Sequence, residues 1–239
     1  MQPNGTTVQG ELERALELLL REPVRLTGAG RTDAGVHALY FVAHFDAERD
    51  DLHSDLSFIG KMNGMIPREI AVFRILAVPS DAHARFDAVS RTYHYKIATK
   101  KNPFTIDMAY HFYRPLDVAK MNEAAAILPE YKDFTSFSKL YGNAKTNLCD
   151  VSKARWVDDN NGELLFEITA NRFLRNMVRA IVGTMIEIGL GKYPPSDIRR
   201  IILEKNRGVA GSSAPPQGLY LAEIEYPKTQ FKKRKDVDK

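Results

Sequence analysis

Residues 28–38 read GAGRTDAGVHA and place a carboxylate, a guanidinium and an imidazole on one short loop. Gly28, Gly30 and Gly35 relax the steric limits on φ and ψ, so the backbone can bend sharply and approach a ligand closely. A loop of that kind can aim Asp33 into a cleft, where an ionised carboxylate can act as a nucleophile. The same composition also makes an ordinary turn, in which Asp33 caps its own backbone and Arg31 is a solvated neighbour. Two phosphate chemistries are excluded, because no G-K-[ST] follows the glycines and GAGRTD does not fit G-x-G-x-x-G. Asp33, His37 and His44 match no established ligand spacing, so no metal is expected.

Two further groups of residues invite chemistry. In RTYHYKI, Tyr93, Tyr95 and Ile97 share one face of a strand, with Thr92, His94 and Lys96 on the other. Taken alone, both tyrosines read as half-buried sheet residues. Between about Phe173 and Ile188, Val178, Ile181, Val182, Met185 and Ile188 form an apolar stripe at 3.6-residue spacing. Arg172, Arg175 and Arg179 line up beside it. Such a charge stripe can be a solvated helix face. Here, however, the arginines border the apolar stripe, and no acidic residue three or four positions away neutralises them before Glu187.

The elements that must position these residues follow from periodicity and breakers. Thr6 and Gln9 form a capping-box pair ahead of a helix whose apolar positions run from Val8 to Leu19 and which stops at Glu22 and Pro23. Val24 and Leu26 alternate as a strand into the glycine loop, and Leu39, Phe41, Ala43 and Phe45 alternate out of it. A helix over Ser54 to Met65, a strand over Ile70 to Val78 and the tyrosine strand follow. Asn102 and Pro103 then break the pattern, at the expected crossing between lobes. The second half reads as a helix from Leu116 to Leu128, the cluster DFTSF, strands over 154–157 and 164–170, the arginine-edged helix, a helix from Asp197 to Leu203, and a last strand within 210–227. These elements predict an α+β protein of two lobes, residues 1–100 and 101–227, with a flexible basic tail over 228–239.

At 239 residues, 44% hydrophobic and 27% charged, the chain has the composition of a folded globular protein. A net charge of +4 suits a polyanionic partner without demanding one. The lone Cys149 rules out an internal disulfide, and no C-x-x-C suggests structural zinc. Without a leader-like N-terminus or an apolar run long enough for a bilayer, the expected location is cytoplasmic.

Taken together, GAGRTDAGVHA, HARFDAVSRTYHY, DFTSF, ANRFLRNMVRAIVG and APPQGLYLAEIEYP resemble the tRNA pseudouridine synthase A family, in the family's own order and over nearly the whole chain. The resemblance implies two α+β lobes with mainly antiparallel sheets joined around a central cleft, a homodimer, and isomerisation of uridine in the anticodon stem-loop of tRNA without metal or other cofactor. By the same resemblance, Asp33 is the catalytic aspartate, Arg179 its basic partner and Tyr93 the active-site tyrosine that stacks on the uracil and stands nearest as a base. Leu219 lines the pocket, Arg31 fills the space that a flipped base leaves, and Arg172 and Arg175 hold RNA. Family members usually open with an extra strand carrying a Y-D-G-T-x-Y-x-G-W-Q-like segment. This chain starts after it, so the first lobe is expected to lack that strand. The alternative function is an RNA-binding or tRNA-folding module of little catalytic power.

Overall fold

The computed structural model describes residues 6–139 and 146–227; the basic tail expected over 228–239 lies outside them. In chain order the elements are α1 (Val8–Leu20), β1 (Thr27–Gly28), β2 (His37–Ala38), β3 (Ala43–His44), α2 (Leu56–Met65), β4 (Ser90–Ala98), β5 (Tyr110–His111), α3 (Val118–Ile127), β6 (Val151–Asp158), β7 (Glu163–Ala170), α4 (Met177–Gly189), α5 (Asp197–Leu203) and β8 (Leu219–Glu225). This is an α+β fold with antiparallel pairing dominant.

The described residues divide into two units whose boundaries cross the sequence repeatedly: 6–31, 42–88 and 226–227 form one, 32–41, 89–139 and 146–225 the other. Lobes at 1–100 and 101–227 do not describe this arrangement. β4 is hydrogen-bonded between β7 and β8, and β2 runs parallel to β8 through His37↔Tyr220 and Ala38↔Leu221. Long-range pairing therefore assigns both segments to the second unit, a partition that local periodicity does not encode.

In the first unit Thr7, rather than Thr6, caps α1. Its hydroxyl accepts from the Gly10 N–H at 3.1 Å, so Gln9 is free to donate to Glu13 and to the Leu26 carbonyl instead of closing a capping box. Glu13 is buried and accepts from the Leu26 N–H at 2.9 Å, which ties α1 to the segment entering β1. Leu16, Val24, Leu26, Leu52, Phe58 and Met62 make this unit's core. The segment expected as a strand from Ile70 to Val78 joins no ladder. The side-chain amide of Asn63 binds it instead, accepting from the Val72 N–H at 2.7 Å and donating to the Val72 carbonyl at 2.8 Å, while Phe73, Leu76 and Val78 stay exposed.

The second unit holds a six-stranded sheet in the order β2-β8-β4-β7-β6, with β5 alongside β4. A single large core joins the sheet to α3, α4 and α5. The apolar stripe of α4 behaves as its spacing predicts: Val178, Ile181, Val182, Met185 and Ile188 are all buried. Trp156 stacks on Phe166 at 4.9 Å and directs its indole N–H at the Met185 sulfur, 3.1 Å away, linking β6 and β7 to α4. Cys149 belongs to the same core, where burial pushes its thiol up to about 11.

Candidate functional site

Asp33 stands at the first corner of a tight turn in which its carbonyl accepts from the Val36 N–H at 3.1 Å. Gly35 occupies the third position with φ +80, a conformation that glycine adopts without strain, and a Cβ there would press on Pro216 at 3.2 Å. Past the turn, β2 is anchored on β8, and Leu39 donates to the Leu221 carbonyl at 2.9 Å. His37 serves this anchoring: its ring stacks on Tyr220 at 4.7 Å and its Nε2 donates to the Asp107 carbonyl at 3.0 Å. The turn therefore presents Asp33 from a fixed base.

Two guanidiniums meet the carboxylate. Arg179 Nη1 lies 3.3 Å from Oδ2 and Arg175 Nε 3.5 Å from Oδ1, with Asp33 29% and Arg179 18% exposed. These contacts are long for charge-assisted bonds, so the carboxylate is oriented while its oxygens remain open to a substrate. Arg179 is itself fixed, because its Nε donates to the Ala214 carbonyl at 2.7 Å and its own carbonyl accepts from the Ala214 N–H at 2.9 Å.

The arginine edge expected along one helix is divided. α4 begins at Met177 because Asn176 takes a left-handed conformation, φ 67, so only Arg179 is helical and Arg172 and Arg175 sit on the preceding loop. Arg175 turns to Asp33. Arg172 instead lies where its charge acts on Cys149. Arg31 is exposed and belongs to the other unit, two residues ahead of Asp33.

Tyr93 sits where β4 and β8 slip register: Thr92 faces Glu223 and Tyr93 faces Leu221, leaving Ala222 unopposed. Such a bulge twists the ladder and re-aims the side chains beside it. Phe173 meets the Tyr93 ring edge-on, 5.1 Å between centroids at 84°. Burial pushes the Tyr93 phenol up to about 12; the Arg91 charge opposes the shift and that of Asp33 adds to it, so the tyrosine lies within the electrostatic reach of the carboxylate. Leu219 is buried at the start of β8 in the core against which Tyr93 packs. Asp33, Arg175, Arg179, Tyr93 and Leu219 thus belong to one unit.

Sequence reasoning missed Phe173, Asn176 and the Ala214 backbone as parts of this site. Periodicity places Phe173 at the start of the helix, and a backbone carbonyl carries no residue-type signal.

A sequence model of the tRNA pseudouridine synthases matches residues 131–227. The tRNA pseudouridine synthase A of Porphyromonas gingivalis is 50% identical over 231 residues, covering 96% of this chain and 92% of the relative. This chain belongs to the tRNA pseudouridine synthase family. The Bacteroides fragilis protein of the same name is also 50% identical, over 97% of this chain and 91% of its own length. A more distant relative of that name, from Bacillus licheniformis, is 38% identical over 95% of this chain and 92% of its own. The synthases of this family are isomerases, and none of the helices among the described residues is long and apolar enough to cross a membrane.

Proposed function

We propose that this chain converts uridine to pseudouridine in the anticodon stem-loop of tRNA, with Asp33 as the catalytic nucleophile. The observation that carries the reading is a partly exposed carboxylate held between two guanidiniums, at 3.3 and 3.5 Å, within the electrostatic reach of a half-buried tyrosine. In the reaction the N1–C1′ bond breaks, a C5–C1′ bond forms, the C5 proton leaves and N1 gains a proton, so no atoms or electrons are exchanged overall. Asp33 adds to C6 of the ring or acts at C1′, and either role needs it ionised and oriented, as the two arginines favour.

The target base must leave its stack at a cost of a few kcal/mol. Stacking on the Tyr93 ring, which Phe173 holds edge-on, returns roughly 1–3 kcal/mol. Arg31 fills the vacated space, while Arg172 and Arg175 contact the RNA backbone without reading sequence. With its phenol near 12, Tyr93 is neutral at pH 7, which suits a stacking surface; proton removal from C5 then needs an acceptor beyond a resting phenolate. The homodimer rests on the motif resemblance, and the cytoplasmic location on the lone cysteine without any C-x-x-C.

Tritium release from tRNA carrying 5-tritiated uridine tests the reading, because only chemistry at C5 frees that label. Asp33→Asn is expected to lose release at least about 1,000-fold while still binding tRNA. Comparable release from both proteins would end the assignment of Asp33.

A further inference from the structure

The two guanidiniums that hold Asp33 share one support. Ser213 precedes Ala214, whose carbonyl and N–H fix Arg179. Its hydroxyl oxygen also accepts from Asn176 Nδ2 at 2.6 Å, and Asn176 is the left-handed residue directly after Arg175. The same oxygen accepts from Arg207 Nη2 at 3.0 Å, while Arg207 Nη1 donates to the Ala210 carbonyl at 3.2 Å. Arg207 makes no ion pair with a carboxylate among the described residues. Its charge falls on two neutral acceptors of a single loop.

That loop lies directly against α4. A Cβ on Gly183 would come within 1.7 Å of the Ser212 carbonyl oxygen, and Gly211 donates to Thr184 Oγ1 at 2.9 Å. Beyond the loop, Tyr95 donates to the Pro215 carbonyl at 2.8 Å. Between these two anchors, Arg207 and Ser213 set where the Ala214 carbonyl points and how Asn176 turns the chain at Arg175.

We propose that Arg207 is a positioning residue for the isomerisation, acting through Ser213 to align Arg179 and Arg175 on Asp33. The inference deepens the reading of Asp33 as the catalytic carboxylate and rests on it. Arg207 does not touch the reacting atoms; it fixes the loop that orients the groups that do. A misplacement of about 1 Å at a reacting group can cost on the order of 100-fold in rate.

The experiment measures kcat and KM for pseudouridine formation on a tRNA transcript, tRNA binding and Tm for Arg207→Met, Ser213→Ala, Ser213→Thr and the Arg207→Met/Ser213→Ala double variant. Arg207→Met and Ser213→Ala are each expected to lower kcat roughly 10- to 100-fold, with KM and tRNA binding held within about twofold. The double variant should fall no further than the worse single one, since both changes break one support. Ser213→Thr, which keeps the hydroxyl, should restore most of the rate. An unchanged kcat in either single variant, losses that multiply in the double, a loss confined to tRNA binding, or failure of Ser213→Thr to restore the rate would overturn the proposal. Should Arg207→Met not fold, Ser213→Ala removes a single oxygen and decides the matter. Asp33→Asn, run alongside, separates the two ideas: a normal Arg207→Met beside a dead Asp33→Asn sinks the positioning role alone, and a live Asp33→Asn removes both.

Discussion

At the residue scale the most informative group is Tyr93, because its environment sets what it can do. Burial favours the neutral phenol, raising it from 10.0 to about 12. Between pH 7 and 10 the ring stays uncharged, so a rate limited by chemistry is expected to vary with pH there without a limb from this residue. A single-turnover rate rising tenfold per pH unit from 7 to 10, abolished in Tyr93→Phe, would instead make the phenolate the base. The same shift has a consequence for stability. A folded pKa above the unfolded one means that the contribution is complete below pH 10 and lost as pH rises towards about 12, so the Tm of the wild type should fall more steeply over that window than that of Tyr93→Phe. The turn that carries Asp33 was legible in the sequence, because aspartate and glycine at that spacing are turn residues. The edge-on support by Phe173 was not, because an aromatic contact between a strand and a distant loop leaves no spacing to read.

At the scale of elements, the helix stripe was legible and the arginine edge was not. Periodicity of 3.6 finds the buried face of α4, since burial depends only on which side of the helix a residue occupies. It cannot see that Asn176 leaves the helical region one residue before Met177, which moves Arg175 off the helix and towards Asp33. Nor can it see that α4 carries a glycine for close approach. Gly183→Ala would normally help a helix interior by about 1 kcal/mol. Here the added methyl would meet the Ser212 backbone at 1.7 Å, and backbone cannot rotate away as a side chain can. Overpacking of this kind costs typically 1–3 kcal/mol, which outweighs the propensity gain or at least cancels it. Gly183→Ala is therefore expected to leave Tm unchanged or lower it by several degrees, and to reduce turnover about 10-fold or more, because the shifted loop carries the Ala214 carbonyl away from Arg179. A Tm raised by several degrees with full turnover would show that the loop does not press on the helix.

At the scale of the molecule, two units with unequal cores share one chain. The first buries a small cluster beneath α1 and α2, and its sheet is the two-stranded β1–β3 pair. The second has a six-stranded sheet and a core that reaches α3, α4 and α5. Composition and turn signals made two lobes legible, but the boundary depends on which strands pair, and β2 and β4 find their partners far along the sequence. Stability should follow the same partition, since free energy scales with the apolar surface that each core buries. The only tryptophan, Trp156, is stacked in the larger core, so its fluorescence reports the second unit alone. Far-UV circular dichroism reports helices of both units, with α1 and α2 in the smaller one. During urea unfolding the ellipticity is expected to begin falling before the tryptophan emission shifts to the red, giving two midpoints. Coincident transitions by both probes would mean that the units unfold as one cooperative body.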